Sequence, residues 1–247
     1  MQVASKAIFS VGPPQPRPYD VPPPGFGSNH ERAMAESKRR ARTKVVDIAL
    51  CNKMDYMFTW TLNPALIDRY DPGAIYPKVR SFLTNAVSRK GFQYVAVPEY
   101  HKPRPGEEKP AIHIHGLCRL GQVPIERALS PSGRLIYDDA GRPVYNMVAW
   151  KWGFSTCVPL DRQYTRTVFY LTKYITKTEA KIFGKWYLAA RGLTKSPELI
   201  PLDGIDYQEF RDEQKLKQHE QFESEIYPGL SIISEDYPAL GQEAMAE

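Results

Sequence analysis

The 247-residue sequence predicts an α+β domain, and three observations lead there. Aromatic and β-branched runs of strand length occur at 56–62, 92–100 and 111–118. Helical hydrophobic periodicity marks 75–90 and 164–182. A polar linker at 101–110 joins two of the strands as a hairpin.

Residues 1–30 hold Pro13-Pro14, Pro16, Pro18 and Pro22-Pro23-Pro24, part of a total of 22 prolines. Proline donates no backbone hydrogen bond and favours extended chain, so this stretch reads as a flexible arm. Asn29 is a candidate cap for a basic helix that runs through Lys38-Arg39-Arg40-Ala41-Arg42 to about Cys51. Tyr56-Met57-Phe58-Thr59-Trp60-Thr61-Leu62 is a buried strand stopped by Asn63-Pro64. Ile75, Val79, Phe82, Leu83, Ala86 and Val87 follow a helical period that Gly91 ends. Strands follow at 92–100 and 111–118. Ser130-Pro131-Ser132-Gly133 and Asp138-Asp139 mark turns, with a short hairpin expected near 134–145. Residues 154–160 form a further strand. Val168, Leu171, Ile175 and Ile182 line one side of a helix over 164–182. From about Ile200 the chain is polar and acidic, and partial disorder with one short helix at 206–224 is expected. The organisation read from sequence is an arm over 1–30, a domain over 31–200 and an acidic tail over 201–247.

Charge is divided unevenly. Residues 1–202 carry 30 basic and 16 acidic side chains, a balance of +14, whereas 203–247 carry 3 and 12, a balance of −9. A basic body suits a polyanionic partner, because phosphate contacts release counterions. The odd set Cys51, Cys118 and Cys157 is widely spaced, which argues against a disulfide framework or a CxxC metal site and for a reducing cytosol. No basic leader precedes an apolar core, and no run approaches the roughly 20 apolar residues that span a bilayer, so a cytoplasmic chain without membrane partners is expected.

Two constellations carry chemistry. His113 and His115 stand two apart on a strand, hence on one face and about 6.5–7 Å apart, where both imidazoles can reach one ion. In a hairpin Glu99 lies beside them and adds a carboxylate. His101 competes with Glu99 if the strand reaches that far, and an HxH pair alone is equally compatible with two strand histidines and no metal. On the helix, Tyr170 and Tyr174 are i,i+4 neighbours, and Lys173 and Lys177 form a parallel stripe, so each tyrosine has a lysine beside it. A phenol of ordinary pKa near 10 needs such cations to act as a nucleophile at neutral pH. Taken alone, the segment also fits an amphipathic helix whose lysines snorkel.

Phe58-Thr59-Trp60-Thr61-Leu62-Asn63, then His113-Ile114-His115-Gly116, then Tyr170-x-x-Lys173-Tyr174-x-x-Lys177 occur in the order and approximate spacing of the HUH endonucleases. More narrowly, the chain resembles rolling-circle replication initiators of small phages and plasmids over about residues 45–195. The resemblance implies a five-stranded antiparallel sheet with flanking helices, related to the RNA-recognition fold, with the histidine strand central and the tyrosine helix across it. It implies Mg²⁺ or Mn²⁺ held by His113, His115 and Glu99, and Tyr170 or Tyr174 as the nucleophile that forms a 5′-phosphotyrosine. Lys173 and Lys177 would position the phosphate. Thr59, Thr61 and Asn63 would line the DNA side of the sheet, and Arg39 and Arg40 would contact phosphates. The implied partners are single-stranded or looped-out origin DNA in a bacterial host, a host DNA polymerase and, because no GxxxxGK[ST] segment is present, a host helicase. Trp150, Trp152 and Tyr164 are either DNA contacts or ordinary structural residues. The rival readings are a transposase or relaxase with the same chemistry, a DNA-binding module without catalysis, and a metal-dependent hydrolase that does not use the tyrosines.

Overall fold

A computed structural model of the chain describes residues 30–197 apart from 104, 107, 162 and 163, together with the backbone of 220–223 and 231–234. The Pro-rich arm, the Asn29 cap and most of the acidic tail lie outside the described residues. Helix α1 (His30–Cys51) leads to β1 (Tyr56–Leu62), α2 (Pro72–Lys90) and the hairpin β2 (Gln93–His101) and β3 (Ala111–Arg119). Short strands β4 (Ile125–Arg127) and β5 (Tyr145–Met147) precede β6 (Gly153–Pro159), α3 (Tyr164–Lys177) and β7 (Leu188–Ala189). These strands form one antiparallel sheet in the order β4-β5-β6-β1-β3-β2-β7.

The α+β class matches the sequence reading, but the sheet has seven strands rather than five. The additional pairing comes from strands of two or three residues, too short for an alternating pattern to register. The expected hairpin near 134–145 is part of a longer excursion, tied by the bridges Leu129↔Leu135 and Tyr137↔Pro143. The tyrosine helix ends at Lys177, not at 182. Threonine hydroxyls turn back on its last turn, from Thr176 to the Lys173 carbonyl and from Thr178 to the Tyr174 carbonyl, and compete with continued helix. Ile182 still enters the core, from a non-helical segment. Within the helix expected at 206–224, Glu220–Glu223 is instead a strand, β8, paired with β9 (Ser231–Ser234).

Alternation along β1 sends Phe58 and Trp60 to one face and Thr59 and Thr61 to the other. Trp60 stacks on Trp150 at 4.6 Å and meets the Phe82 ring of α2 edge-on at 5.0 Å, so α2 covers the first face. Trp150 is therefore a core residue, and it lies in a turn rather than a strand. Tyr164 is structural too, donating its phenol proton to the Ala49 carbonyl and so joining α3 to α1. Helix α3 lies over β2 and β3 on the second face.

Gly116 sits in β3 under the Phe58 ring. An added Cβ would fall 2.4 Å from Phe58 Cζ and 2.7 Å from the Val95 carbonyl oxygen. Pro98 sits in β2 without breaking the ladder. The Tyr94 carbonyl accepts from Ala190 on the β7 side, so by alternation the Pro98 nitrogen points outward, where β3 asks nothing of it.

Gly116→Ala is expected to cost about 2 kcal/mol, read as a lower urea midpoint at unchanged slope, because backbone blocks relief on one side. Burial, with a smaller contribution from Tyr76, pushes the Tyr94 phenol from 10.0 up to about 12. A raised folded value means that this stabilisation is complete below pH 10.0 and is lost as pH climbs towards about 12. Across that window Tyr94→Phe should lose less stability than the parent in thermal melts.

Candidate active site

The strand registers arrange the second face in rows. Phe154, Thr61, His113 and Glu99 stand side by side across β6, β1, β3 and β2. The next row is Thr156, Thr59, His115 and Val97. Glu99, His113 and His115 are all buried. The Tyr174 ring lies flat on the His115 imidazole, at 3.8 Å between centroids and 2° between planes.

His115 has both ring nitrogens at polar neighbours. Nδ1 is 3.1 Å from Thr59 Oγ1, and Nε2 is 2.9 Å from Glu99 Oε2. The second contact is not aligned as a hydrogen bond, which leaves Nε2 a buried nitrogen without a hydrogen-bond partner. With the ring proton on Nδ1 and donated to Thr59, Nε2 turns a lone pair towards a carboxylate oxygen. Two electron-rich atoms that close are stable only with a proton or a cation between them. The same separation is that of adjacent ligands on an octahedral ion with bonds of about 2.1 Å. Imidazole and carboxylate also form a donor set suited to Mn²⁺ or Mg²⁺.

Convergence is partial. The His113 ring centroid is 6.2 Å from that of His115, and His113 stacks on His101 at 4.5 Å. Among the described residues no group of three His, Cys, Asp or Glu side chains stands as a ready-made metal cage. β2 extends through His101, which meets the condition under which that residue shares the face of Glu99. His101 therefore stays beside Glu99 as a candidate third ligand.

Burial pushes the Glu99 carboxyl up, but the His115 imidazole and then the Lys177 ammonium more than reverse this and hold it below its ordinary 4.5. Lys177 Nζ is 3.3 Å from Glu99 Oε1 and 5.0 Å from the centre of the Tyr174 ring. Lys173 Nζ is 5.9 Å from the centre of the Tyr170 ring, so each tyrosine has its lysine as the helical spacing required. The two phenols nevertheless differ. Tyr174 is buried and donates to the Tyr170 hydroxyl at 3.0 Å, whereas Tyr170 is 46% exposed. Burial, the Tyr170 contact and the Glu99 charge together raise the Tyr174 pKa far above 10.0.

Thr59 and Thr61 stand on the histidine face as expected. Asn63 does not, since it follows β1 and its Oδ1 accepts from the Ala65 amide to hold a turn. Arg39 and Arg40 lie on α1, away from the rows, with Arg40 in an ion pair with Glu36 at 3.4 Å. The structure adds Phe154, 74% exposed at the end of the His113 row. Its strand was legible in sequence, but the cross-strand register that gives the ring meaning was not.

A family model described as a replication-associated protein of the ORF2 type matches residues 55–179, from the residue before β1 to just beyond α3 and just over half of the chain. The chain belongs to this replication-associated protein family. No curated protein matches it. No solved structure matches it either. Membership supports a role in initiating replication, and the matched span of this replication-associated protein contains every residue of the two rows and both tyrosines.

Thr59→Val should leave His115 Nδ1 unpaired and cost about 1–2 kcal/mol in urea denaturation. Thr59→Ser, which keeps the hydroxyl, should recover most of that loss.

Proposed function

We propose that this replication-associated protein starts rolling-circle replication by cutting single-stranded origin DNA with a tyrosine and later rejoining it. The observation that carries the reading is the unpartnered His115 Nε2 beside Glu99, with the tyrosine pair stacked on the same imidazole. His115, Glu99 and His113, with His101 in reserve, would hold Mg²⁺ or Mn²⁺. Such an ion would polarise a phosphate oxygen and offset its developing charge.

The residues divide the remaining work. Tyr170, the exposed phenol, attacks phosphorus as the P–O3′ bond breaks, and the departing 3′ oxygen takes up a proton. Tyr174, hydrogen-bonded to the Tyr170 oxygen, places a proton where the reacting phenol carries negative charge. Lys173 adds a cation beside that ring. The products are a 5′-phosphotyrosine and a 3′-hydroxyl that a host polymerase extends after a host helicase opens the duplex. A later 3′-hydroxyl reverses the step without ATP, because the phosphotyrosine keeps the bond energy. Transposases and relaxases share this chemistry, and the family match favours replication.

Incubated with single-stranded origin DNA and Mn²⁺, the wild-type chain should yield a covalent adduct that mass spectrometry places on the Tyr170 peptide. Tyr170→Phe/Tyr174→Phe should bind DNA but form no adduct, and chelator should stop the wild-type reaction. An adduct on the doubly substituted chain would discard the tyrosine mechanism. Undiminished cleavage in chelator would discard the metal.

A further inference from the structure

On the α2 side of the sheet, opposite the histidines, lies a groove of about 520 Å³ between α2 and the segments around Val123 and Trp152. Lys78, Arg89, Lys90 and Lys151 line it, and no carboxylate does. Among the described residues none of the four forms an ion pair. Lys78 Nζ instead stands 4.7 Å from the centre of the Trp152 ring. Positions 78 and 89 are eleven residues apart on one helix, so the basic stripe runs about 17 Å.

The wall opposite is fixed. Gly121, at φ +58°, brings the chain so close to α2 that a Cβ would meet the Lys90 carbonyl oxygen, which accepts from the Gln122 amide. Favourable interaction with the helix dipole accounts for Arg89 and Lys90 in the last turn of α2. It does not account for Lys78, near the N-terminal end where the dipole opposes a cation, or for Lys151, which lies outside the helix.

We infer that this groove is a second nucleic-acid site, which holds a stretch of single-stranded DNA flanking the one on the histidine face. The inference rests on the reading of the chain as a DNA-handling initiator. Four unopposed cations match a phosphate chain, and the Trp152 ring at the rim offers a base a stacking surface. A concave volume of this size takes a few nucleotides and excludes a duplex. The route between the sites is short in sequence. The Trp152 carbonyl accepts from the Asn63 amide at the end of β1, and two residues later Phe154 emerges exposed on the histidine face. One strand that rounds the β6 end of the sheet engages both sites, and each raises the effective concentration at the other.

The test measures binding of a labelled oligodeoxythymidine, by fluorescence anisotropy across a salt series, to the full chain carrying Tyr170→Phe/Tyr174→Phe. That chain has no phenol to react, so the result does not depend on whether the tyrosines cleave. Adding Lys78→Ala, Arg89→Ala and Lys151→Ala should lower the slope of log K against log salt by about 2, at about 0.7 per contact, and weaken binding about tenfold at low salt. Arg134→Ala, Lys185→Ala and Arg191→Ala, which remove three exposed cations elsewhere, should leave the slope unchanged. An unchanged slope in the groove variant overturns the site, including the case in which the acidic stretch 203–247 fills it. An equal loss in the control variant reduces the effect to net charge and also overturns it. A duplex competitor that displaces the oligonucleotide as well as single strand does overturns the single-strand assignment.

Discussion

The pairing of β3 between β1 and β2 is the constraint on which the site depends, because it sets Thr59 against His115 and Glu99 against His113 on adjoining strands. A slip of one residue in either ladder would turn a whole strand's side chains to the other face and disperse the constellation. Gly116 and Phe58 fix the same register from the opposite side. The ring occupies the space that the missing side chain leaves, and no other pairing offers it that space. Catalytic geometry and core packing are thus two readings of one ladder.

Electrostatics then differentiates what the ladder brings together. Glu99 stays ionised in a buried setting because His115 and Lys177 flank it, and its charge in turn helps keep the Tyr174 phenol protonated. Tyr170, one turn away, is exposed and accepts the hydrogen bond that Tyr174 donates. The repeated Tyr-x-x-Lys pattern looks symmetric in sequence, yet the fold makes one phenol a surface group and the other an interior donor.

Much of this was legible before any coordinates. The span of β1, the β2–β3 hairpin, the shared face of His113 and His115 and the lysine beside each tyrosine follow from periods of 2 and 3.6 and from turn residues, all of them local information. What stayed hidden was non-local. β4, β5 and β7 are too short to show alternation and exist only because long neighbours offer them hydrogen bonds. Asn63 looked like a sheet residue because its turn-holding bond to Ala65 has no sequence mark of its own. The inequality of Tyr170 and Tyr174 depends on how α3 is rotated over β3, and the value of Phe154 depends on three registers at once. The basic residues of α2 are plain in the sequence, but the empty volume they surround is made by a distant turn at Gly121.

Pro98 has a further bearing on how the molecule behaves in a crowd. Directly before Glu99, it faces a position beyond β3 where β7 covers only Val95 and Ala96, so β2 would otherwise offer a bare flank next to the reactive centre. A flank without its amide is a poor template for a strand from a second copy or an incompletely folded chain. The residue that leaves the ladder to β3 intact is also a guard against self-association, set beside the surface that must stay open to DNA.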